Sequence, residues 1–165
     1  MISKINSKKC EKIKLLITDV DGVLTDGGMY YSEKGEIMKK FNTKDGMAVE
    51  LLHENSIKTV FLTKENSKIA KSRAKKVKAD GVYINIQNKE KYLNEICKKF
   101  TVEPNEISYI GDDINDIEII KKIGFSSCPT DAVNDVKKIV DYICQTKGGE
   151  GVFREIAEII LKSKN

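Results

Sequence analysis

Two acidic clusters carry the chemistry this sequence could do. Asp19-Val20-Asp21-Gly22 follows the apolar run at 14–18, and Gly111-Asp112-Asp113 ends the stretch 107–113. Carboxylates crowded together repel one another and call for a cation, and hard oxygen ligands with room for water suit Mg²⁺. Thr63 ends another apolar run, 57–63, and Asn88-Lys89 opens the segment after a further one, 81–84. A divalent ion with an ammonium and a hydroxyl can hold a phosphoryl group. One carboxylate can attack phosphorus and form an aspartyl-phosphate. A second, two residues on, can protonate the leaving oxygen and then activate the water that hydrolyses the intermediate. Each part alone is weak, since an Asp at a strand end is often only a helix cap. The weight lies in DVDG, Thr, Lys and GDD occurring in this order.

Such residues need a scaffold that gathers several strand ends. The apolar runs at 14–18, 57–63, 81–84, 107–113, 124–129 and 141–144 read as strands. Between them, 44–56, 66–77, 88–100, 115–123 and 131–139 read as helices, and 148–163 as a glycine loop leading into a last helix. In the first of these helices Asp45 is the expected N-cap. In the third, Tyr92, Leu93, Ile96 and Phe100 share an apolar side. Residues 28–42 hold two runs around a Lys-Gly turn and predict a β-hairpin. Alternating strands and helices predict an α/β fold: a Rossmann-like parallel sheet with helices on both faces and a protruding hairpin. Ligands then bind beyond the carboxyl ends of the strands, where the acidic loops lie.

Composition narrows the alternatives. The 165 residues predict one domain spanning 1–165, and Lys plus Arg at 29 against Asp plus Glu at 25 leaves a net charge of only +4. That excess is scattered, so no nucleic-acid face is implied. No apolar run approaches the roughly 20 residues of a membrane span. The basic amino terminus lacks the apolar stretch of a signal peptide, which predicts a cytoplasmic protein. Cys10, Cys97, Cys128 and Cys144 form no CxxC pair and are read as reduced and structural. His53 is the single histidine and falls late in a predicted helix, with no nucleophile motif beside it. A histidine-rich zinc site is excluded, so the chemistry falls to carboxylates, lysines and hydroxyls.

DVDGVLTDG at 19–27, FLT at 61–63, NK at 88–89 and YIGDDINDIE at 109–118 resemble the signatures of the haloacid dehalogenase-like phosphatases. The resemblance covers 13–162. The hairpin stretch DGGMYYSEKGEIMKKFNTKDG and the tail GGEGVFREI are similar to one branch, the capless sugar-acid phosphatases. That branch acts on 3-deoxy-D-manno-octulosonate (KDO) 8-phosphate or on the 9-phosphates of nonulosonic acids, the sialic-acid class. The resemblance implies Asp19 as nucleophile and Asp21 as general acid/base. It implies Mg²⁺ held by Asp19, the main-chain carbonyl of Asp21, and Asp112, with Asp113 or Asp116 orienting its waters. Thr63 and Lys89 would grip the phosphoryl oxygens. One departure is Lys64, where the group usually has Gly.

The spacing leaves no room for a cap domain between Asp19 and Thr63 or between Thr63 and Lys89, so a lone subunit would have an open site. The family's solution is a homotetramer in which hairpins pair and neighbours wall the site; an open monomer acting on large phosphates is the alternative. The stretch Asn42-Thr43-Lys44-Asp45-Gly46 matches the family's substrate-side FN-x-x-D-G segment, at a helix start that favours anions. Arg73 matches a position that faces the substrate carboxylate, unless it belongs to a solvated basic face. Glu65 is typical of the nine-carbon acid enzymes, where the KDO enzymes typically carry Arg; on this residue the nine-carbon acid is preferred. Two other functions compete. A non-catalytic oligomerisation domain, like those attached to CMP-sialic acid synthetases, would not need to keep Asp19 and Asp21. A two-component receiver would place its aspartate after the third strand.

Overall fold

The computed structural model describes residues 3–164. Six strands form one parallel sheet: β1 (Leu15–Thr18), β4 (Lys58–Leu62), β5 (Gly81–Tyr83), β6 (Ile107–Ile110), β7 (Phe125–Cys128) and β8 (Tyr142–Ile143), in the order β5-β4-β1-β6-β7-β8. The chain builds outward from β1 through β4 to β5, then returns to β1's other side for β6. This reversal opens a crevice between the carboxyl ends of β1 and β6, the usual ligand site of such sheets. Register sets its depth: Thr18 pairs with Phe61 on one side and Ile110 on the other. Asp19 and Gly111 therefore leave the sheet side by side.

All four β1 residues are buried, and successive side chains point to opposite faces. Leu16 enters one core with Val49, Leu52, Phe61, Phe153 and Ile156. Leu15 and Ile17 enter the other with Leu62, Ile96, Tyr109 and Ile119. The first face is covered by α1 (Lys4–Glu11), α2 (Thr43–Glu54), α3 (Lys68–Val77) and α7 (Val152–Lys164), and the second by α4 (Leu93–Phe100), α5 (Ile117–Ile120) and α6 (Asn134–Lys137). On α4, Leu93 and Ile96 are buried, with Tyr92 and Phe100 packed beside them, as the apolar side predicted. No cap domain interrupts the described residues.

Several local expectations change. Residues 4–11, read only as a basic terminus, form α1, capped by Ser3 and packed on α7 through the buried Cys10. The cap of α2 is Asn42, whose side chain accepts a hydrogen bond from Lys44 N, and not Asp45. Asp45 lies inside the first turn and accepts from Arg154 N at 3.0 Å, tying α2 to α7. Helix α5 is preceded by a 3-10 turn (Ile114–Asp116), so the predicted helix at 115–123 is mostly turn. The four cysteines are free, and burial pushes the Cys10 and Cys128 thiols up to about 12. His53 lies in the last turn of α2 and binds Asp80 at 2.6 Å, a structural contact.

The hairpin pairs β2 (Tyr30–Ser32) with β3 (Gly35–Met38) outside the main sheet. Met29, Tyr30, Tyr31, Ile37 and Met38 are exposed on it. Phe41, at its base, instead turns into the first core.

Candidate active site

The loop after β1 turns sharply at Gly22, whose φ of +81° favours glycine. A Cβ there would fall 2.0 Å from Asp112 Oδ2, so the glycine lets the two acidic loops close on each other. Asp19 keeps strand geometry through Asp19 N donating to Ile110 O, and its Oδ1 accepts from Val20 N at 2.6 Å. Its Oδ2 meets Lys89 Nζ at 2.6 Å. Lys89 begins a 3-10 turn (Lys89–Tyr92) and is 1% exposed. Its ammonium also meets Asp116 Oδ1 at 2.6 Å and Tyr109 OH at 3.1 Å. Asp116 spends its other oxygen on the amides of Asp112 and Asp113.

Oxygens of Asp19, Asp112 and Asp116 lie within 4.8 Å of one another. Burial pushes Asp19 up to about 7, with Lys89 opposing and Asp116 adding to the rise. Burial, then Asp19 and Asp116, push Asp112 up to about 8. Burial opposes charge on Lys89, yet the two carboxylates hold its ammonium above the ordinary lysine range. The cluster thus has more negative charge than one lysine balances. Asp112 Oδ1 is enclosed and makes no hydrogen bond. An orphaned carboxylate oxygen among crowded acids fits a shared hard cation. Asp116 is already committed to Lys89, Tyr109 and two amides, which leaves Asp19 and Asp112 as the carboxylates with capacity to spare. Asp113 is exposed on the wall of the same cleft and accepts from Ile114 N at 2.7 Å as a turn cap.

These side chains face an open cleft of about 410 Å³, lined among others by Asp19, Asp21, Thr63, Lys64, Glu65 and Asp112. Thr63 Oγ1 accepts from Glu65 N at 3.1 Å, which fixes the loop after β4. Asp19, Asp21, Thr63, Lys89, Asp112 and Glu65 are therefore gathered as the sequence predicted. The stretch 42–46 and Arg73 are not on this cleft within one subunit. Arg73 donates to Asn42 O at 2.8 Å and lies 5.4 Å over the Phe41 ring, so it is neither a solvated helix residue nor a wall of the Asp19 cleft. Gly46 lets that guanidinium approach, since a Cβ there would meet it at 3.1 Å. Asn42 donates to Gly149 O, Thr43 is exposed, and Lys44 faces a separate groove beside Arg154 and Glu155.

Sequence reasoning missed two residues here. Lys39, at the base of the hairpin, has a fully enclosed side chain whose ammonium lies 2.5 Å from both Asp21 Oδ1 and Glu36 Oε1. Tyr109, with no exposed surface, donates to Asp116 at 2.6 Å beneath Lys89. Tyr109 could have been found from the strand alternation that turns it inward. Lys39 carries no such signal, because it is one lysine in a run of two.

The model of the haloacid dehalogenase-like hydrolase family matches residues 23–156. The 3-deoxy-D-manno-octulosonate 8-phosphate phosphatase of Haemophilus influenzae is 35% identical over 157 residues, covering 95% of this chain and 87% of that protein. A solved structure of the phosphatase of that name from Yersinia pestis superposes with a TM-score of 0.96 at 29% identity, over 99% of this chain and 88% of the other. The Moraxella catarrhalis enzyme, solved with magnesium, phosphate and KDO, gives 0.93 at 31% identity, over 97% and 92%. With its acid pair at the β1–β6 crevice and its buried lysine across from them, the chain belongs to the haloacid dehalogenase-like hydrolases.

Proposed function

We propose that this protein hydrolyses the terminal phosphate of a 2-keto-3-deoxy sugar acid, KDO 8-phosphate, through an aspartyl-phosphate on Asp19. It is a phosphoric monoester hydrolase, and its cofactor is Mg²⁺. The observation that carries the reading is the 2.6 Å contact of Lys89 with Asp19 inside a carboxylate cluster that opens on the Thr63 loop. Asp19, the Asp21 carbonyl and Asp112 are assigned to the metal, which when bound neutralises charge on the phosphoryl oxygens.

The remaining work belongs to side chains. Lys89 favours the ionised Asp19, the form that can attack. An Asp19 oxygen forms a bond to phosphorus as the bond from phosphorus to the sugar oxygen breaks. Asp21 gives its proton to that departing oxygen, so the sugar leaves as an alcohol. Asp21 then takes a proton from water, whose oxygen attacks phosphorus, and the bond to Asp19 breaks to release inorganic phosphate. Thr63 and Lys89 hold the phosphoryl oxygens through both displacements.

One observation favours a second substrate. Glu65 lines the cleft where the nine-carbon acid enzymes typically carry Glu. A carboxylate there would accept hydrogen bonds from hydroxyls of a nonulosonate 9-phosphate. The 35% identity to a KDO 8-phosphate phosphatase extends over 95% of the chain and supports the eight-carbon acid more broadly than one residue can support the nine-carbon one. We assign the exposed apolar hairpin to contact with further copies in a homotetramer, working in the cytoplasm, with residues 1–165 as one catalytic domain. In that assembly Arg73 and residues 42–46 would serve substrate only alongside a neighbour's walls.

Phosphate release from KDO 8-phosphate, a nonulosonate 9-phosphate and simple sugar phosphates, with Mg²⁺, tests the reading. The expected result is a kcat/KM for KDO 8-phosphate well above the simple sugars, with Asp19→Asn inactive. Equal rates on every ester, or an active Asp19→Asn, would overturn it.

A further inference from the structure

The hairpin reaches the active site through one buried ammonium. Lys39 Nζ lies 2.5 Å from Asp21 Oδ1 and 2.5 Å from Glu36 Oε1. Glu36 Oε2 in turn accepts from Ser67 Oγ at 2.7 Å. Ser67 is the N-cap of α3, accepting from Ala70 N. An unbroken polar chain thus runs from α3 through β3 to the loop after β1. Lys39's side chain has no solvent exposure. A buried lysine is costly unless its charge is matched, and here two carboxylates match it. Burial opposes the charge, but Asp21 and Glu36 together hold the ammonium above the ordinary lysine range. The arrangement spends one Asp21 oxygen and leaves Oδ2, which is enclosed and makes no hydrogen bond.

We propose that Lys39 is a positioning residue that anchors Asp21 by Oδ1, so that the carboxyl group meets the leaving oxygen and the attacking water in one fixed orientation. The inference rests on Asp21 being the general acid/base. It assigns work to the hairpin that a docking role does not require. Lys39 pulls the carboxylate toward β3, and Glu36 with Ser67 keeps the ammonium from swinging into the cleft, where it would compete with Lys89 for phosphate. An oxygen held in one place can transfer a proton in both displacements; a carboxylate free to rotate presents either oxygen at changing distances. Deleting the anchor should therefore hurt most where proton delivery matters most.

The leaving group separates that role from a general loss of structure. An alkyl sugar phosphate expels a strongly basic alkoxide and needs the proton; p-nitrophenyl phosphate expels a phenolate that leaves without it. Single-turnover rates of phosphoryl transfer to the enzyme are measured for both esters in wild type, Lys39→Met, Lys39→Gln, Lys39→Arg and Asp21→Asn. Lys39→Met and Lys39→Gln should slow the alkyl ester about ten- to a hundredfold more than the aryl ester. Lys39→Arg should recover part of the difference, since a guanidinium can still donate to Oδ1. The ratio is taken within one sample, so a reduced folded fraction cancels. If both esters slow by the same factor, or neither slows, Lys39 does not position Asp21. If Asp21→Asn itself treats the two esters alike, the acid/base assignment fails, and the role of Lys39 with it.

Discussion

Asp116 and Lys89 form an ion pair of 2.6 Å in which neither side chain is more than 1% exposed. Asp116, with Tyr109 beside it, thereby holds the ammonium where it meets Asp19 at 2.6 Å. Asp116→Asn preserves shape but removes the charge that restrains Lys89. Its kcat should fall about tenfold to a hundredfold, the value of one charge-assisted hydrogen bond of roughly 1.5–3 kcal/mol. Lys89→Met should cost more, about a thousandfold, since it removes the group assigned to the phosphoryl oxygens. Steady-state kinetics on the two variants decide this; wild-type turnover in Asp116→Asn would refute the restraint.

Relief of the crowded carboxylates should be visible without turnover. Mg²⁺ at a hundred times its dissociation constant should stabilise the fold by about 2.7 kcal/mol, raising Tm by roughly 5–10 °C. Chelation should abolish activity and Mg²⁺ restore it, whereas Ca²⁺ should inhibit through its looser geometry. Differential scanning fluorimetry with and without EDTA measures the shift. In Asp112→Asn the Mg²⁺-dependent rise should disappear.

The exposed apolar hairpin predicts assembly. Tyr31 and Ile37 are 60% and 58% exposed, too open for side chains of this kind on a face without a partner. Light scattering should return four times the mass of one chain, and Tyr31→Lys with Ile37→Lys should lower it. A wild-type monomer at micromolar concentration would contradict the expectation.

Specificity can be tested at the rim. Glu65→Arg should lower kcat/KM for a nonulosonate 9-phosphate about tenfold or more while sparing KDO 8-phosphate, because an acceptor becomes a donor. p-Nitrophenyl phosphate should hardly respond. A uniform fall on all three substrates would mean that Glu65 shapes the Thr63 loop and does not read the sugar.

Asp45 supplies a pH dependence of stability. Burial pushes its carboxyl from 3.8 up to about 6, with the Arg154 amide and the Arg73 charge opposing. The folded state therefore binds this proton more tightly than the unfolded state does. Its contribution is fully present below about pH 4 and is lost as pH rises through about 6. Asp45→Asn keeps an oxygen for the Arg154 amide and removes that slope. Urea unfolding of the two proteins should show the variant gaining about 2–3 kcal/mol relative to wild type between pH 4 and pH 8. A constant difference across that range would refute the assignment.

The sheet and the central acids were legible because each sits where a buried apolar run stops. DVDG ends β1 and GDD ends β6, so parallel topology alone brings Asp19 and Asp112 together. Helix α1 was hidden by its composition: KINSKKCE holds only Ile5 and Cys10 as apolar residues, and its Ser3 cap had no apolar stripe to support it. Asn42 and Asp45 are both good caps three residues apart, and sequence could not say which faces the helix end. The structure gives the cap to Asn42 and turns Asp45 toward α7. Lys39 was invisible for a related reason. In a chain with 33% charged residues, a buried lysine looks like every surface lysine until the hairpin folds its stem against Asp21. Arg73 shows the limit of residue matching, since its side chain packs on Phe41 and Asn42 and not on the cleft of its own subunit.

Gly148 presses against the loop that carries the nucleophile: a Cβ there would lie 2.1 Å from Gly22 O, and Gly149 N donates to Val23 O at 2.9 Å. The turn carrying Asp19 and Asp21 is thus completed by chain that a ribosome makes long after the turn itself. During synthesis the early half emerges with its acids in place along the sequence but without the brace that shapes their turn. Closing so distant a contact is slow compared with forming the hairpin or any single helix. Phosphatase activity should therefore switch on late and abruptly, when residues 148–164 dock. Nascent chains stalled before that point should be catalytically silent even where most of the sheet has formed.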